Sequence, residues 1–279
     1  MKKIKLLLCL FMLTTLCGCS NSNKNESSKT LNAAMFWIST SLDPTNNYDG
    51  WVLSRIGVGE TLLKLNEKYE VEPCLAKSYE QIDDTTWKLT LKDSITFSNG
   101  KKVTGENVKS CLERAFEKNT RAIDYFDLNH VEAKGQDIYL YLNKSSGAIL
   151  NNLCEPLFTI YDASQSEEDI ANHPLCTGPF VVDDFVSEKT IDTSKNKKYY
   201  DGKAKLDHVH FSQVADSDAR VLALQSGEVD LANTIDYSSL KLFRNNKDYQ
   251  VLEVLGPRTN VIYMNNETTF LSDLTIRKA

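Results

Sequence analysis

Residues 48–55 hold side chains whose types suit the binding of a small organic ligand. Trp51 offers a large flat ring on which a ligand could pack. Arg55 carries a planar guanidinium, which can bind a carboxylate through two parallel hydrogen bonds. Each residue also has a purely structural interpretation, core packing for Trp51 and an ion pair for Arg55. The residues alone leave both interpretations open.

Signatures of a catalytic centre are absent from the sequence. The chain has no G-x-S-x-G, no phosphate-binding G-x-x-x-x-G-K-[ST] and no H-E-x-x-H motif. Gly57-Val58-Gly59 begins like a dinucleotide-binding fingerprint, but Leu62 stands where the third glycine is required. We therefore expect a protein that is not an enzyme and that uses no cofactor.

Two histidines form the one pattern that resembles a metal site. His208 and His210 could place two imidazoles on one side of a strand. Val209 and Phe211 are the apolar partners in that alternation and take the core face, so we expect the histidines to face solvent. No resident metal is expected.

The N-terminus has the features of an export signal. Lys2, Lys3 and Lys5 precede an apolar run at 6–16, which is too short to span a bilayer. The run ends in LCGC at 16–19, which resembles the bacterial lipobox and makes Cys19 the expected lipid anchor. An ordinary secretory signal is the alternative. We expect a signal peptide at 1–18 and a flexible polar tether at 19–30.

The composition limits the classes of partner. The net charge is −6, which argues against nucleic-acid binding, since that needs a basic surface. Of the seven cysteines, four lie beyond the signal and its anchor, and none of these four forms a C-x-x-C pair. Cys111 is expected to be a small buried hydrophobe. A bridge between Cys154 and Cys176 stays open, because disulfides form outside the cytoplasm.

Strand and helix patterns alternate along the chain, which predicts a mixed α/β protein. Ser98-Asn99-Gly100 predicts a tight turn. Strands are predicted at 31–38, from Thr86 onward (with Trp87, Leu89 and Leu91 on one face), at 138–142, at 208–211 and at Val229–Leu231. Helices are predicted after Thr104 as N-cap, from Ser217 as N-cap to Gly227, and from 274 onward.

A set of short motifs, taken in order, resembles one known family. The motifs are LDP at 42–44, VGETL at 58–62, EPCLAKS at 72–78, DTTW at 84–87, FSNG at 97–100, TGENV at 104–108, TGPF at 177–180, Asn196 with YYDG at 199–202, and LQSGEVDL at 224–231. In this order they resemble the extracytoplasmic solute-binding proteins of peptide and nickel ABC importers, family 5. One departure is Cys176, which stands where the family has glycine and where a side chain resists a positive φ.

The resemblance implies a type II periplasmic-binding-protein-like fold, in which two lobes close on a ligand by hinge motion. Family members are about twice this length, so we expect the first lobe and an inserted middle domain here, truncated before the second lobe. The expected ranges are lobe I at 31–64 and 176–270, the middle domain at 65–175, and the start of the second lobe at 271–279.

The resemblance also implies a ligand site and partners. Tyr48, Trp51 and Arg55 lie where the family places cleft residues, and Arg121 aligns with an arginine that nickel binders aim at the metallophore, the alternative being a plain surface arginine. A second arginine of that subgroup would fall near Leu157-Phe158, where this sequence has none. The implied function is capture of an oligopeptide or a nickel-metallophore and its delivery to a membrane permease. The alternatives are a truncated remnant that binds nothing and an anchored hydrolase.

Overall fold

The computed structural model describes residues 28–254, 256 and 261–278, and these residues divide into two compact units. One unit ends at Ile235 and the other begins at Asp236. The predicted signal peptide, Cys19 and residues 20–27 of the tether lie outside the described residues.

The larger unit is built on two sheets and one hairpin. Its strands are β1 (Thr30–Met35), β2 (Leu63–Leu65), β3 (Val71–Pro73), β4 (Ala76–Gln81), β5 (Thr86–Leu91), β6 (Leu128–Lys134), β7 (Asp137–Leu142), β8 (Phe180–Val186), β9 (Thr190–Lys195), β10 (His208–Gln213) and β11 (Leu231–Ala232). Five strands follow the order β11-β1-β10-β9-β8, four follow the order β4-β5-β7-β6, and β2 pairs with β3. The predicted mixed α/β class is confirmed.

Short helices connect these strands. They are α1 (Gly50–Arg55), α2 (Gly105–Lys118), α3 (Ala122–Tyr125), α4 (Ile149–Asn152), α5 (Glu167–Asn172) and α6 (Ser217–Ser226), with a 3-10 turn, η1, at Pro156–Phe158. The larger hydrophobic core includes buried residues of both sheets, from Met35 on β1 to Ile191 on β9, and a small second cluster lies at Ala34, Ala223 and Val229. The predicted lobe and middle-domain ranges stay predictions.

The first strand is shorter than predicted. β1 begins at Thr30, inside the predicted tether, because the strand pairs in parallel with β10 from its first residue. It ends at Met35 instead of residue 38. Side-chain oxygens of Asn233 and Gln213 accept hydrogen bonds from the backbone of Phe36 and Ile38, so these two N–H groups leave the sheet.

The helix after Thr104 forms as predicted. Thr104 and Asn107 make a reciprocal capping box, which satisfies two N–H groups that the first turn would leave unpaired. The face that carries Val108, Cys111 and Leu112 is buried against the sheet of β4–β7. This helix therefore covers one side of the core. The end of the helix lies next to the segment at 43–49, as the hydrogen bonds of Arg114 and Asn119 show.

Several local predictions are corrected by the structure. Asp216, not Ser217, caps α6, because its carboxylate accepts the Ala219 N–H at 2.8 Å. The strand after α6 covers only Leu231–Ala232, and Val229 is buried without joining it. Gly227 ends α6 in the left-handed conformation at φ 76°, as predicted.

The cysteines beyond the signal are free thiols. No bridge joins Cys154 to Cys176 within the described residues. Cys111 is buried as expected, and burial raises the pKa of its thiol to about 12. Cys176 does not adopt a positive φ, so its side chain strains nothing where the family has glycine.

The second unit, from Asp236, is small. It contains a 3-10 helix, η2 (Tyr237–Leu242), and α7 (Leu274–Lys278), which confirms the predicted start of a helix. Phe243 packs edge-on against Tyr249, and Arg244 pairs with Glu253 at 2.8 Å. None of the helices in the described part of the chain is both long and apolar enough to cross a membrane.

Candidate ligand-binding site

Helix α1 positions the predicted aromatic and cationic side chains. A turn at 46–49 leads into it, with Asn47 in the left-handed region at φ 44° and the Trp51 N–H bonded to the Tyr48 carbonyl at 3.0 Å. Gly50 lies so close to η1 that an added Cβ would stand 2.3 Å from the Pro156 carbonyl oxygen. Only glycine permits this approach, which fixes the start of α1 against η1.

Tyr48 and Arg121 form a stacked pair. The Arg121 guanidinium carbon lies 3.7 Å from the centre of the Tyr48 ring, and the ring is 54% exposed. Arg121 donates to the Asn47 carbonyl at 2.9 Å and to the Tyr125 hydroxyl at 2.7 Å. These contacts hold the guanidinium in one orientation against the exposed ring. The role of Arg121 in ligand binding stays a prediction.

Trp51 joins this pair through Glu155. The indole N–H donates to Glu155 Oε1 at 2.9 Å, and the same oxygen lies 3.9 Å from Arg121 Nη2. Tyr125 also contacts Glu155. Burial, the Glu155 charge and a hydrogen bond to Glu155 raise the pKa of the Tyr125 hydroxyl to about 12. Trp51 is 38% exposed.

Arg55 contacts the Trp51 ring as well. Its guanidinium carbon is 5.5 Å from the Trp51 ring and 5.4 Å from the Phe36 ring. Both distances fall within the range of a cation–π contact. The structure therefore brings the four predicted residues, Tyr48, Trp51, Arg55 and Arg121, into one chain of contacts, which we call the aromatic–arginine cluster.

Sequence reasoning missed Glu155, Tyr125 and Phe36. Glu155 and Trp51 are 104 positions apart, and no periodicity connects residues at that separation. The available signal for Tyr125 was its position four residues after Arg121 on a helical segment, where side chains meet. Nothing comparable pointed to Glu155 or Phe36.

A buried ion pair holds the segment that precedes the cluster residue Tyr48. Arg114 on α2 binds Asp43 through both guanidinium ends, at 2.8 Å and 2.7 Å, and also binds Thr45 and Tyr161. Burial alone would raise the pKa of Asp43, but hydrogen bonds from Arg114 and Thr45 outweigh it and lower the pKa. This bidentate pair ties α2 to the segment that leads into the 46–49 turn.

Asn119 and Asp49 complete the support of the turn. The Asn119 amide donates to the carbonyls of Thr45 and Asn47, each at 3.1 Å. Asp49 is 2% exposed, and burial raises its pKa to about 6 although Asn46 donates a hydrogen bond to it at 2.6 Å. The Asp43 charge adds to that rise.

The two histidines of β10 lie in different surroundings. His208 is exposed, and His210 Nδ1 lies 2.6 Å from Asp192 on the neighbouring strand. Across the described ranges, no group of three or more His, Cys, Asp or Glu side chains is arranged to hold a metal ion.

Comparisons with known proteins place the chain in a family. The model described as "Bacterial extracellular solute-binding proteins, family 5 Middle" matches residues 70–279. The chain belongs to this family. Its members are extracytoplasmic solute-binding proteins, so the family suggested by the motifs is confirmed.

Two relatives of this family-5 chain are similar over most of it. The nickel-binding protein NikA of Staphylococcus aureus is 33% identical over 264 residues, which is 95% of this chain and 52% of the relative. The glutathione-binding protein GsiB of Escherichia coli O1:K1 / APEC is 27% identical over 214 residues, which is 73% of this chain and 42% of the relative. The chain thus spans about half the length of these relatives.

A solved structure supports the same assignment. NikA from Staphylococcus aureus in complex with Ni(L-His)2 superposes with a TM-score of 0.74 at 33% identity, covering 79% of this chain and 46% of that one. The predicted type II periplasmic-binding-protein-like fold is confirmed for the part of it that this chain spans.

Proposed function

We propose that this protein is the ligand-capturing component of an ABC importer, that it acts outside the membrane without catalysis, and that its ligand is a small nickel chelate. The observation that carries the proposal is the convergence of Tyr48, Trp51, Arg55 and Arg121 on one partly exposed surface. Two aromatic rings backed by guanidinium groups suit a ligand that combines flat rings with carboxylates.

The nickel chelate is favoured by similarity. The nickel-binding relative is the more similar of the two and matches more of the chain. The aromatic rings of the cluster would pack on the organic part of the chelate, and its arginines would bind carboxylate oxygens. The chain's own residues would then hold the chelating molecule rather than the nickel ion.

A short peptide is the second candidate. Leu157 and Phe158, where a second arginine of nickel binders would fall, are buried and apolar, which favours a ligand that needs fewer cationic contacts. The similarity to the glutathione-binding relative also supports this candidate.

Anchoring through Cys19 is a separate part of the proposal. The lipobox-like sequence supports it, and the anchor would hold the protein beside a permease on the extracytoplasmic face. Labelling cells with a radioactive fatty acid tests it, since wild-type protein should take up label and Cys19→Ser protein should not. Label on the Cys19→Ser variant would contradict the anchor.

Calorimetry of the purified protein tests the ligand. We expect binding heat with nickel plus L-histidine and none with nickel alone or with a mixture of short peptides. Heat with peptides alone would transfer the proposal to the second candidate. No heat with any of these would contradict a working receptor and favour a non-binding remnant, and turnover of the peptides would favour a hydrolase.

A further inference from the structure

Glu155 occupies a fixed position inside the cluster. It directly precedes Pro156, the first residue of η1, and η1 is held against α1 by the close approach at Gly50. The Glu155 side chain is only 13% exposed. The fold therefore holds this carboxylate in one position within the cluster.

The partners of Glu155 show which role this charge has. Its Oε1 accepts the Trp51 indole N–H at 2.9 Å, which keeps the ring in place. The same oxygen lies 3.9 Å from Arg121 Nη2, which makes the two groups an ion pair. Because both side chains are mostly shielded from water, the carboxylate offsets much of the positive potential that Arg121 would otherwise present.

We infer that Glu155 is a specificity-determining residue that tunes the site towards nickel chelates without excess negative charge. An incoming ligand carboxylate near Arg121 meets the repulsion of Glu155, so a chelator that leaves the complex anionic is disfavoured. This inference rests on the proposed function and deepens it by naming the charge class of the ligand.

The residues that follow Glu155 agree with this assignment. Leu157 and Phe158 are 3% and 2% exposed and add no positive charge that could counter the carboxylate. Phe158 instead packs against the rings of Phe116, Tyr125 and Phe126. Leu157 and Phe158 therefore add only apolar surface next to the pair formed by Glu155 and Arg121.

Replacing Glu155 by Gln tests the inference, because the amide oxygen can still accept the Trp51 N–H while the negative charge is removed. The probes are nickel with two L-histidines, an electroneutral complex, and nickel–EDTA, a dianion. By calorimetry, wild-type protein should prefer the electroneutral complex. Glu155→Gln should improve affinity for nickel–EDTA by about tenfold and change affinity for the electroneutral complex by less than about threefold.

Two control variants separate charge from structure. Glu117→Gln removes the same charge from an exposed position on α2 and should leave the ratio of the two affinities unchanged. Trp51→Phe removes the hydrogen bond to Glu155 but keeps the charge, so it should preserve the preference for the electroneutral complex even if both affinities fall.

An unchanged ratio in Glu155→Gln, or an equal loss of both affinities, would overturn the inference while leaving the nickel-chelate function intact. A ratio that changes in Trp51→Phe as much as in Glu155→Gln would overturn it too, since position and not charge would then govern selectivity. Wild-type protein that binds neither complex would overturn the proposed function and this inference with it.

Discussion

At the scale of single residues, Asp49 is a buried carboxyl group with little support for its charged form. Burial raises its pKa to about 6, although the Asn46 amide donates a hydrogen bond to it. An acid whose folded pKa lies above its unfolded value binds more protons when folded. Folding stability from this group therefore falls as pH rises from about 4 to about 6.

Asp49→Asn should remove that pH-dependent loss. The variant keeps an oxygen that can accept from Asn46, and it should gain stability relative to wild type as pH increases through the same range, with no further gain above about pH 7. Urea unfolding at several pH values measures this. Asp84→Asn, at an exposed position, is the control and should show a flat difference. A flat difference for Asp49→Asn as well would contradict the assigned pKa.

Arg114, in contrast, is a charged group that pairs with the buried carboxylate of Asp43. Arg114→Met should destabilise the protein by about 3 kcal/mol near pH 7, because Asp43 would be left buried without its bidentate partner. Because the folded pKa of Asp43 is lowered, the charged carboxylate stabilises the fold fully above the unfolded pKa, and this stabilisation is lost as pH falls through the folded pKa. The cost of Arg114→Met should therefore shrink in acid.

Chemical unfolding at neutral and acidic pH checks this result. Lys109→Met, on the same helix, removes a more exposed pair with Glu113 and should cost less than about 0.5 kcal/mol. Equal costs for the two variants would show that the Arg114 pair does not hold α2 to residues 43–45.

At the scale of elements, the docking of α1 on η1 decides where Trp51 and Glu155 meet. Gly50→Ala should destabilise the protein by about 1–3 kcal/mol, because the new Cβ would overlap the Pro156 carbonyl and force α1 outward. It should also make the Trp51 indole more accessible to a fluorescence quencher, since its bond to Glu155 would break.

Gly147→Ala is the matched control for this prediction. An added Cβ at Gly147 meets nothing within 4 Å, so its stability and its quenching should match wild type. If Gly50→Ala and Gly147→Ala behave alike, the close packing of α1 on η1 is wrong.

The sequence predicted elements well where local chemistry determines them. The cap at Thr104 and the left-handed stop at Gly227 follow from neighbouring residues alone. The cap of α6 was misplaced because Asp216 and Ser217 are adjacent residues that can both cap a helix, and only the fold selects Asp216. The end of β1 was misplaced because distant side chains, Asn233 and Gln213, accept hydrogen bonds from the residues just beyond Met35.

The site was predictable only in part, for the same reason. Tyr48, Trp51 and Arg55 lie in one segment, and family resemblance supplied Arg121. Glu155 reaches them only through the tertiary contact between α1 and η1, which no local pattern encodes. The charge selectivity inferred for the site therefore depends on a residue that only the structure brings into view.

At the scale of the whole molecule, the two sheets of the larger unit share one core, so the aromatic–arginine cluster is mounted on a continuous scaffold. Arg121 follows the helix packed on the β4–β7 sheet, and Trp51 lies on the segment that follows β1. A ligand that contacts both Arg121 and Trp51 would therefore join a segment next to the β4–β7 sheet to a segment next to the sheet that contains β1. The chain spans about half the length of its relatives, which makes its own contribution to affinity the quantity to measure.

The most direct test of the account is a calorimetric titration of wild-type and Arg121→Met protein with nickel plus L-histidine. We expect Arg121→Met to lose at least about tenfold in affinity, because the guanidinium contacts the Tyr48 ring and, in the proposed site, would donate charge-assisted hydrogen bonds to the ligand. Arg121→Lys should lose affinity as well, since an ammonium group lacks the planar fork. Lys197→Met, at an exposed position, should bind like wild type. Wild-type affinity in Arg121→Met would contradict the central claim that this cluster is the ligand site.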